Sequence, residues 1–200
     1  MSTALTYLNP IRNRLNLTVR SSVTAHKIVV ESGIAVGVTV ESGGEVFTVE
    51  GDQIIVSSGG IASPQLLLLS GIGPRDHLIQ MGIPMVHEAP GVGQNLRDHP
   101  NVRVPVRVKD DFPMDPQAPR TQLAVRYTAD GSKDRNDMQI LQSSFSSPMG
   151  GDPLEGEGIR FTVMLELAEG AGELTLSKVC LLYTSPSPRD LSTSRMPSSA

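Results

Sequence analysis

Short runs of β-branched residues, separated by glycine turns, fill the first part of the chain. Val, Ile and Thr favour strands, and the sequences Ser32-Gly33 and Ser42-Gly43-Gly44 favour tight turns. These runs predict strands over residues 17–21, 23–31, 34–40, 46–49 and 53–57. The first four are expected to form an antiparallel meander, whereas the apolar last run is typical of a buried parallel strand.

A helix is predicted directly after this last strand, within the sequence SGGIASPQLLLLSGIGP at residues 58–74. Ser63 is a preferred N-cap, Pro64 fits the first helical position, and Gly71 ends the apolar run. A strand, a Gly-Gly turn and a helix start can together present free backbone N–H groups to a nucleotide. The same order of elements also occurs where the turn only packs a helix against a strand. The order alone is therefore consistent with a nucleotide site and with a structural turn.

The pattern changes beyond this helix. Residues 76–81 are predicted as a second short helix, and residues 82–100 as a loop punctuated by Gly and Pro. Residues 102–108 alternate apolar and polar side chains, which predicts a half-exposed strand, and Pro105 favours the edge of a sheet. The remaining predicted elements are a surface loop over residues 110–119 and strands over residues 138–141 and 161–167.

The composition excludes several classes of function. The 200 residues carry a net charge of −4, no Trp and a single Cys. No basic patch suits a nucleic acid, no apolar stretch approaches the roughly 18 residues of a membrane span, and residues 1–20 lack the features of a signal peptide. The single Cys excludes an internal disulfide, and the His residues lack metal-ligand spacing. We therefore expect a cytoplasmic setting and no metal site.

Residues 58–74 resemble the second signature of the glucose–methanol–choline (GMC) family of flavin oxidoreductases. That signature runs small residue, Gly, two residues, Ser-Pro, an apolar run and Ser-Gly-Ile-Gly. The flanking sequences are similar as well, in the family's order and spacing: NLTV at residues 16–19, AVGV at residues 35–38 and GVGQNLRDHP at residues 91–100. The resemblance covers roughly residues 4–178.

This resemblance implies an α/β fold in two parts. Residues 1–100 would be the C-terminal portion of a Rossmann-like FAD/NAD(P)-binding domain that carries the antiparallel meander. Residues 101–179 would begin an α+β substrate domain with an antiparallel sheet. The change in pattern around residues 82–100 independently favours a division there.

The resemblance also implies FAD as the cofactor and indicates four residues near its adenine end. A backbone contact to the adenine is implied at Ala25, and Ser57, Ser58 and Gly59 would lie near the adenine and ribose. Small residues at such positions let the backbone approach a ligand. The alternatives are an ordinary strand alanine at Ala25 and simple packing between strand and helix at the turn.

The activity implied for the parent protein is oxidation of a CH–OH group, with hydride transfer to flavin N5 and a small-molecule alcohol or choline-type compound as substrate. The sequence at residues 91–100 is similar to that of the choline and alcohol dehydrogenase branch, which favours a dehydrogenase that passes electrons to a quinone or other acceptor over an O2-using oxidase. No catalytic residue is assigned, because the family's pyrophosphate loop and catalytic His have no match in this sequence. We therefore expect an internal fragment that is inactive alone. The alternatives are an inert partial FAD-binding module and a lyase on the same scaffold with structural FAD.

The histidines have structural interpretations. His99 follows Asp98, which would suit an acid–base role if the carboxylate oriented the imidazole. The family's base lies elsewhere, so we expect a structural hydrogen-bonding role for His99. His26, His77 and His87 are scattered over strand, helix and loop and are expected to be surface or packing residues.

The last residues of the chain have an unusual sequence. CLLYTSPSPRD at residues 180–190 is what a widely used transposase sequencing adapter encodes, and SRMPSSA at residues 194–200 continues that adapter in frame after a barcode. A native Ser/Pro-rich tail is the alternative. We predict that residues 180–200 are a non-native tail that packs against nothing.

Overall fold

The structure is a computed structural model that describes residues 2–112, 115, 117, 119–144, 158–178 and 181–185. The chain divides into two compact units. The first contains the residues up to Gly93 and the segment that begins at Leu174, and the second is built on Gln94–Glu173. The polypeptide therefore leaves the first unit and later returns to it.

The first unit contains a three-stranded antiparallel sheet. Its strands β1 (Thr24–Glu31), β2 (Ile34–Ser42) and β3 (Glu45–Glu50) lie in the order β1-β2-β3. Both residues of each connecting turn have positive φ: 50° and 81° at Ser32-Gly33, and 61° and 84° at Gly43-Gly44. This is the type I′ geometry that matches the twist of a hairpin and explains the glycines. The predicted antiparallel meander is confirmed over these three strands.

Two predicted strands are wrong. Residues 17–21 and 53–57 pair with no other strand in the part of the chain that the structure describes. Ile55, expected to be buried, is 83% exposed. A parallel strand needs hydrogen-bonding neighbours and cover on both faces, and apolar composition alone supplies neither. Residues 53–57 therefore run unpaired into the following helix.

The helices of the first unit are α1 (Asn9–Ile11), which continues a π-helical turn at Ala4–Leu8, α2 (Gly59–Leu69) and α3 (Arg75–Gln80). The predicted start of α2 is wrong, because its N-cap is Ser58 and Pro64 lies inside the helix. The hydroxyl of Ser63 accepts a hydrogen bond of 3.0 Å from the N–H of Ser58. Ser63 thus stabilises the helix start from within the helix rather than capping it.

The predicted end of α2 is confirmed. Gly71 follows the C-cap Ser70 with a φ of 79°, the left-handed conformation that glycine adopts at low cost after a helix. Just beyond it, β4 (Ile72–Gly73) pairs in parallel with β5 (His87–Glu88). The carbonyl oxygen of Gly71 accepts the N–H groups of Val86 and His87, at 2.8 Å and 3.1 Å. The loop after α3 is therefore anchored on this glycine.

A small leucine core holds the helices of the first unit together. Leu68 and Leu78 are fully buried and Leu176 is 2% exposed. Four partly buried side chains pack against these leucines: Leu69, Met81, Ile83 and Val92. The returning segment is also held by the side chain of His77, whose Nε2 accepts the N–H of Leu176 at 3.0 Å. This contact gives His77 the packing role that the sequence predicted.

The second unit contains a four-stranded antiparallel sheet in the order β6-β9-β8-β7. Its strands are β6 (Asn101–Arg107), β7 (Thr121–Tyr127), β8 (Met138–Ser143) and β9 (Gly158–Leu165). The edge position predicted from Pro105 is confirmed, because β6 lies at one edge. Strand β7 was not predicted, although Leu123, Val125 and Tyr127 alternate with polar or small residues along it. The predicted loop over residues 110–119 lies partly outside the described residues.

The end of the described chain forms a further pair of strands. Strand β10 (Glu173–Lys178) pairs with β11 (Leu181–Ser185). The prediction that the tail packs against nothing is therefore wrong for residues 181–185, whose backbone forms sheet hydrogen bonds. The rest of the tail, residue 180 and residues 186–200, lies outside the described part of the chain.

Acid sensitivity is expected in the hairpin that joins β7 to β8. Asp137 is 5% exposed, and its Oδ1 accepts the N–H of Ala129 at 2.9 Å. This backbone hydrogen bond, and next to it the Ser132 hydroxyl, lower the pKa of Asp137 below its ordinary value of 3.8. The ionised Asp137 therefore contributes fully to the stability of the fold above pH 3.8, and this contribution is lost as the pH falls through the lower, folded-state pKa.

Urea titrations between about pH 5 and about pH 2.5 test this expectation. The Asp137→Asn variant should lose the part of the pH dependence that Asp137 supplies, so its unfolding midpoint should fall less steeply with acid than that of the unchanged chain. Asp134→Asn is the matched control in the same hairpin, because Asp134 is exposed. Equal slopes for Asp137→Asn and the unchanged chain would contradict the assignment.

Candidate functional site

A cavity of about 750 Å³ lies between β1 and α2 in the first unit. Two of the four residues predicted to contact a cofactor, Ala25 and Ser58, line it. Its volume falls in the range of small-molecule sites, about 300–1,000 Å³. The lining residues come from the start of β1 and from α2 and its N-cap: Val23, Thr24, Ala25, His26, Lys27, Ser58, Ala62, Gln65, Leu66 and Leu69.

The other two predicted residues lie beside the cavity without lining it. Ser57 is exposed at the end of the unpaired segment that leads into α2. Gly59 is the first residue of α2 and has a φ of 88°, a conformation that favours glycine. A Cβ added at Gly59 would meet no atom within 4 Å. The structure therefore gives Gly59 a conformational reason to be glycine, and open space beside it.

A buried serine holds the two walls of the cavity together. Ser70, at the C-cap of α2, is 1% exposed, and its hydroxyl accepts a hydrogen bond of 2.8 Å from the N–H of Ile28 in β1. The same hydroxyl donates to the carbonyl oxygen of Leu66 at 2.6 Å. Ser70 thus fixes the spacing between β1 and α2. This role of Ser70 was not predicted, although Ser70 is the serine of the Ser-Gly-Ile-Gly end of the family signature.

The strand wall of the cavity contains an irregularity. The β1–β2 register shifts between Ala25 and Lys27, which leaves His26 without a direct cross-strand partner. Such bulges bend a strand and free backbone groups from the ladder, and they occur often beside binding sites. β1 is also an edge strand, so its outer backbone groups face no further strand in the described sheet. The backbone around Ala25 is therefore available to a ligand.

The charges around the cavity are mixed. The imidazole Nε2 of His26 lies 2.9 Å from Oε2 of Glu41, and both side chains are about half exposed, at 44% and 43%. Lys27 adds a cation at the rim, whereas Leu66 and Leu69 provide apolar surface. This arrangement suits a flat, largely apolar ring whose polar edge bonds to backbone groups and whose attached groups reach solvent.

His99 lies in the second unit and makes structural contacts. Its Nε2 lies 3.4 Å from Oε2 of Glu166, which also pairs with Nη2 of Arg126 at 3.2 Å. The carboxylate of Asp98 accepts the backbone N–H of His99 at 2.8 Å, so it does not orient the imidazole as an acid–base pair would require. These contacts agree with the structural role expected for His99.

Neither a metal-binding cluster nor a membrane-spanning helix is found in the described part of the chain. No group of three or more His, Cys, Asp or Glu side chains is arranged to hold a metal ion among these residues. No helix among them is long and apolar enough to cross a membrane.

Sequence comparison relates the chain to known oxidoreductases. An uncharacterised GMC-type oxidoreductase of Rhodococcus erythropolis is 36% identical over 174 residues, which cover 87% of this chain and 34% of the relative. Oxygen-dependent choline dehydrogenase of Rhizobium meliloti is 48% identical over 99 residues, covering 49% of this chain and 18% of that enzyme. The chain thus spans about a third of the Rhodococcus protein's length.

Structure comparison shows that the fold is shared with solved flavoenzymes. Pyridoxine 4-oxidase from Mesorbium loti superposes with a TM-score of 0.77 at 23% identity, covering 98% of this chain and 40% of that one. Formate oxidase superposes with a TM-score of 0.74 at 24% identity, covering 84% of this chain and 39% of that enzyme. The expected mixture of helices with antiparallel sheets is confirmed.

A family model described as GMC oxidoreductase matches residues 1–101, about half of the chain and the part that contains the cavity. FAD is the cofactor of this family, so the cofactor expected from the sequence is confirmed at the level of the family. The family resemblance read from residues 58–74 is likewise confirmed. The chain belongs to the GMC oxidoreductase family.

Proposed function

We propose that the cavity between β1 and α2 binds the adenine end of FAD, in an oxidoreductase that acts on the CH–OH group of a small alcohol. The observation that carries the proposal is that Ala25 and Ser58, distant in sequence and both implied as cofactor residues, line one cavity. In this proposal residues 1–100 belong to a Rossmann-like FAD domain and residues 101–179 begin a substrate domain.

The residues present fit an adenine ring. Leu66 and Leu69 would provide apolar surface for the ring, and the free backbone of the β1 bulge beside Ala25 would hold its polar edge. Ser58 and Gln65 provide further hydrogen-bonding groups at the helix side of the cavity. Lys27 at the rim favours the negative charge of the pyrophosphate. FAD, when bound, supplies the two-electron redox chemistry, and this part of the chain binds and orients it.

The proposed substrate follows from the relatives. Several are named oxygen-dependent choline dehydrogenase, which supports a small alcohol as the donor. The acceptor is a separate question, because the sequence at residues 91–100 favours a quinone-type compound whereas these relatives are named for oxygen.

Competition between nucleotides tests the cavity in the chain as it stands. We expect the 200-residue chain to bind ADP, which carries the adenine, and not FMN, which lacks it. Isothermal titration of ADP and FMN measures both affinities. Ser58→Trp should abolish ADP binding because the indole fills the cavity, whereas Gln80→Trp, at an exposed site on α3, should leave it unchanged.

Equal binding of ADP and FMN, or unaltered ADP affinity in Ser58→Trp, would contradict the proposed adenine site. The activity needs a separate test in a protein of the relatives' full length. There, alcohol-dependent reduction of a quinone dye should be lost in Ser58→Trp together with the bound flavin absorbance. Normal flavin content in that variant would show that the cavity wall is assigned wrongly.

A further inference from the structure

The sheet of the second unit has one face that carries all of its charged residues. The four strands β6, β7, β8 and β9 contain four arginines and no acidic residue: Arg103, Arg107, Arg126 and Arg160. Residues directly opposite in neighbouring strands share a face. The register pairs Arg103 with Thr162, Arg107 with Gly158 and Arg126 with Gln139, and Gln139 in turn pairs with Met164. All four arginines therefore lie on the same face as Arg160.

Arg160 occupies the middle of this arginine face. It lies on β9, an inner strand, directly opposite Pro105 on one side and Ser143 on the other. It is 8% exposed, and Ser143 beside it is 6% exposed. Arg103 is a diagonal neighbour on β6, at a Cα separation of roughly 7–8 Å for such positions. The guanidinium is thus deep in the sheet surface, with a second cation within reach.

The buried guanidinium has no counter-charge in the described part of the chain. Its Nε and Nη1 are both buried, and no hydrogen-bond partner for either is found there. Burying a charge without a partner is strongly unfavourable, so such a group indicates a missing anion. Arg126 shows the contrast, because Glu166 lies 3.2 Å from its Nη2 and offsets its charge.

We propose that Arg160 is the centre of a binding site for the carboxylate of a small molecule. The planar guanidinium presents paired N–H donors that match the two oxygens of a carboxylate. Arg103 adds a second positive charge, and the hydroxyl of Ser143 adds a hydrogen-bonding group opposite Arg160. The small residual exposure of Arg160 restricts the site to a small anion or to the carboxylate end of a larger one. This inference does not depend on the proposed adenine site.

Thermal unfolding with sodium formate as the probe tests the proposal. We expect the melting temperature of the unchanged chain to rise with formate, with half-saturation on the order of millimolar. Sodium chloride at the same ionic strength should give no such rise. Arg160→Met should melt at least as high as the unchanged chain in chloride, because it removes an unpaired buried charge, and should not respond to formate. Arg135→Met, at an exposed position in the β7–β8 hairpin, should keep the response.

The rival source of the anion is an acidic side chain of the same polypeptide. Asp152, Glu155 and Glu157 stand between β8 and β9 in the sequence. If one of them neutralised Arg160, Arg160→Met would lower the melting temperature clearly, and formate would have no effect on the unchanged chain. That pair of results would overturn the proposal. Because ADP binding is measured in a different unit, failure here leaves the test of the adenine site unaffected.

Discussion

Replacing Gly71 by alanine is expected to lower the free energy of unfolding by about 2–5 kcal/mol. The φ of 79° is left-handed, which costs a residue with a Cβ roughly 1–2 kcal/mol. A Cβ at this position would also lie 2.3 Å from the carbonyl oxygen of Pro84 and 3.1 Å from the backbone nitrogen of Val86. These are backbone atoms of a loop that hydrogen-bonds to Gly71 itself, so relief requires that the loop move.

Urea unfolding followed by far-UV circular dichroism measures this change, since the chain contains no Trp for fluorescence. Gly82→Ala is the matched control in the same unit. Gly82 has a φ of 67°, but a Cβ there would meet no atom within 4 Å. Gly82→Ala should therefore lower the free energy of unfolding only by the cost of the left-handed conformation, roughly 1–2 kcal/mol. Equal losses in the two variants would show that the close approach at Gly71 is not the source of the effect.

Ser70→Ala is expected to lower the free energy of unfolding by about 1–3 kcal/mol, because it leaves the buried N–H of Ile28 without a partner. Ile28 is 4% exposed, so water does not replace the lost hydroxyl. The variant also removes the hydrogen bond that joins the C-cap of α2 to the β1 backbone. We therefore expect weaker ADP binding as well, since the two walls of the cavity lose their fixed spacing.

The control for this prediction is Ser63→Ala. Its hydroxyl accepts a comparable hydrogen bond of 3.0 Å, from Ser58, but at an exposed site where water can take its place. The loss of stability should be smaller than for Ser70→Ala. A Ser63→Ala variant that is destabilised as much as Ser70→Ala would indicate that burial of the Ile28 N–H is not what makes Ser70 important.

The residues at the hairpin turns and at the end of α2 were sufficient to predict these features from the sequence. The turns at Ser32-Gly33 and Gly43-Gly44 need positive φ at both positions, and Gly71 needs it after the helix. Such requirements act within a few residues, so they can be read without knowing the fold. The strand predicted at residues 53–57 was wrong for the opposite reason. Whether this apolar segment pairs depends on neighbouring strands that its own composition does not specify.

The family signature in the sequence indicated Ala25 and Ser58, but not what joins them. Ser70 forms that link across a separation of 42 residues, and the signature to which Ser70 belongs does not say which distant backbone group it binds. The arginine face is a second example, because Arg103, Arg126 and Arg160 share a surface only through the strand register. The sequence by itself determined the family, the turns and the type of most elements, since these rest on short-range conformational preferences and a local signature. Only the tertiary structure decided which polar groups are buried together, because burial and register depend on contacts between residues far apart in the chain.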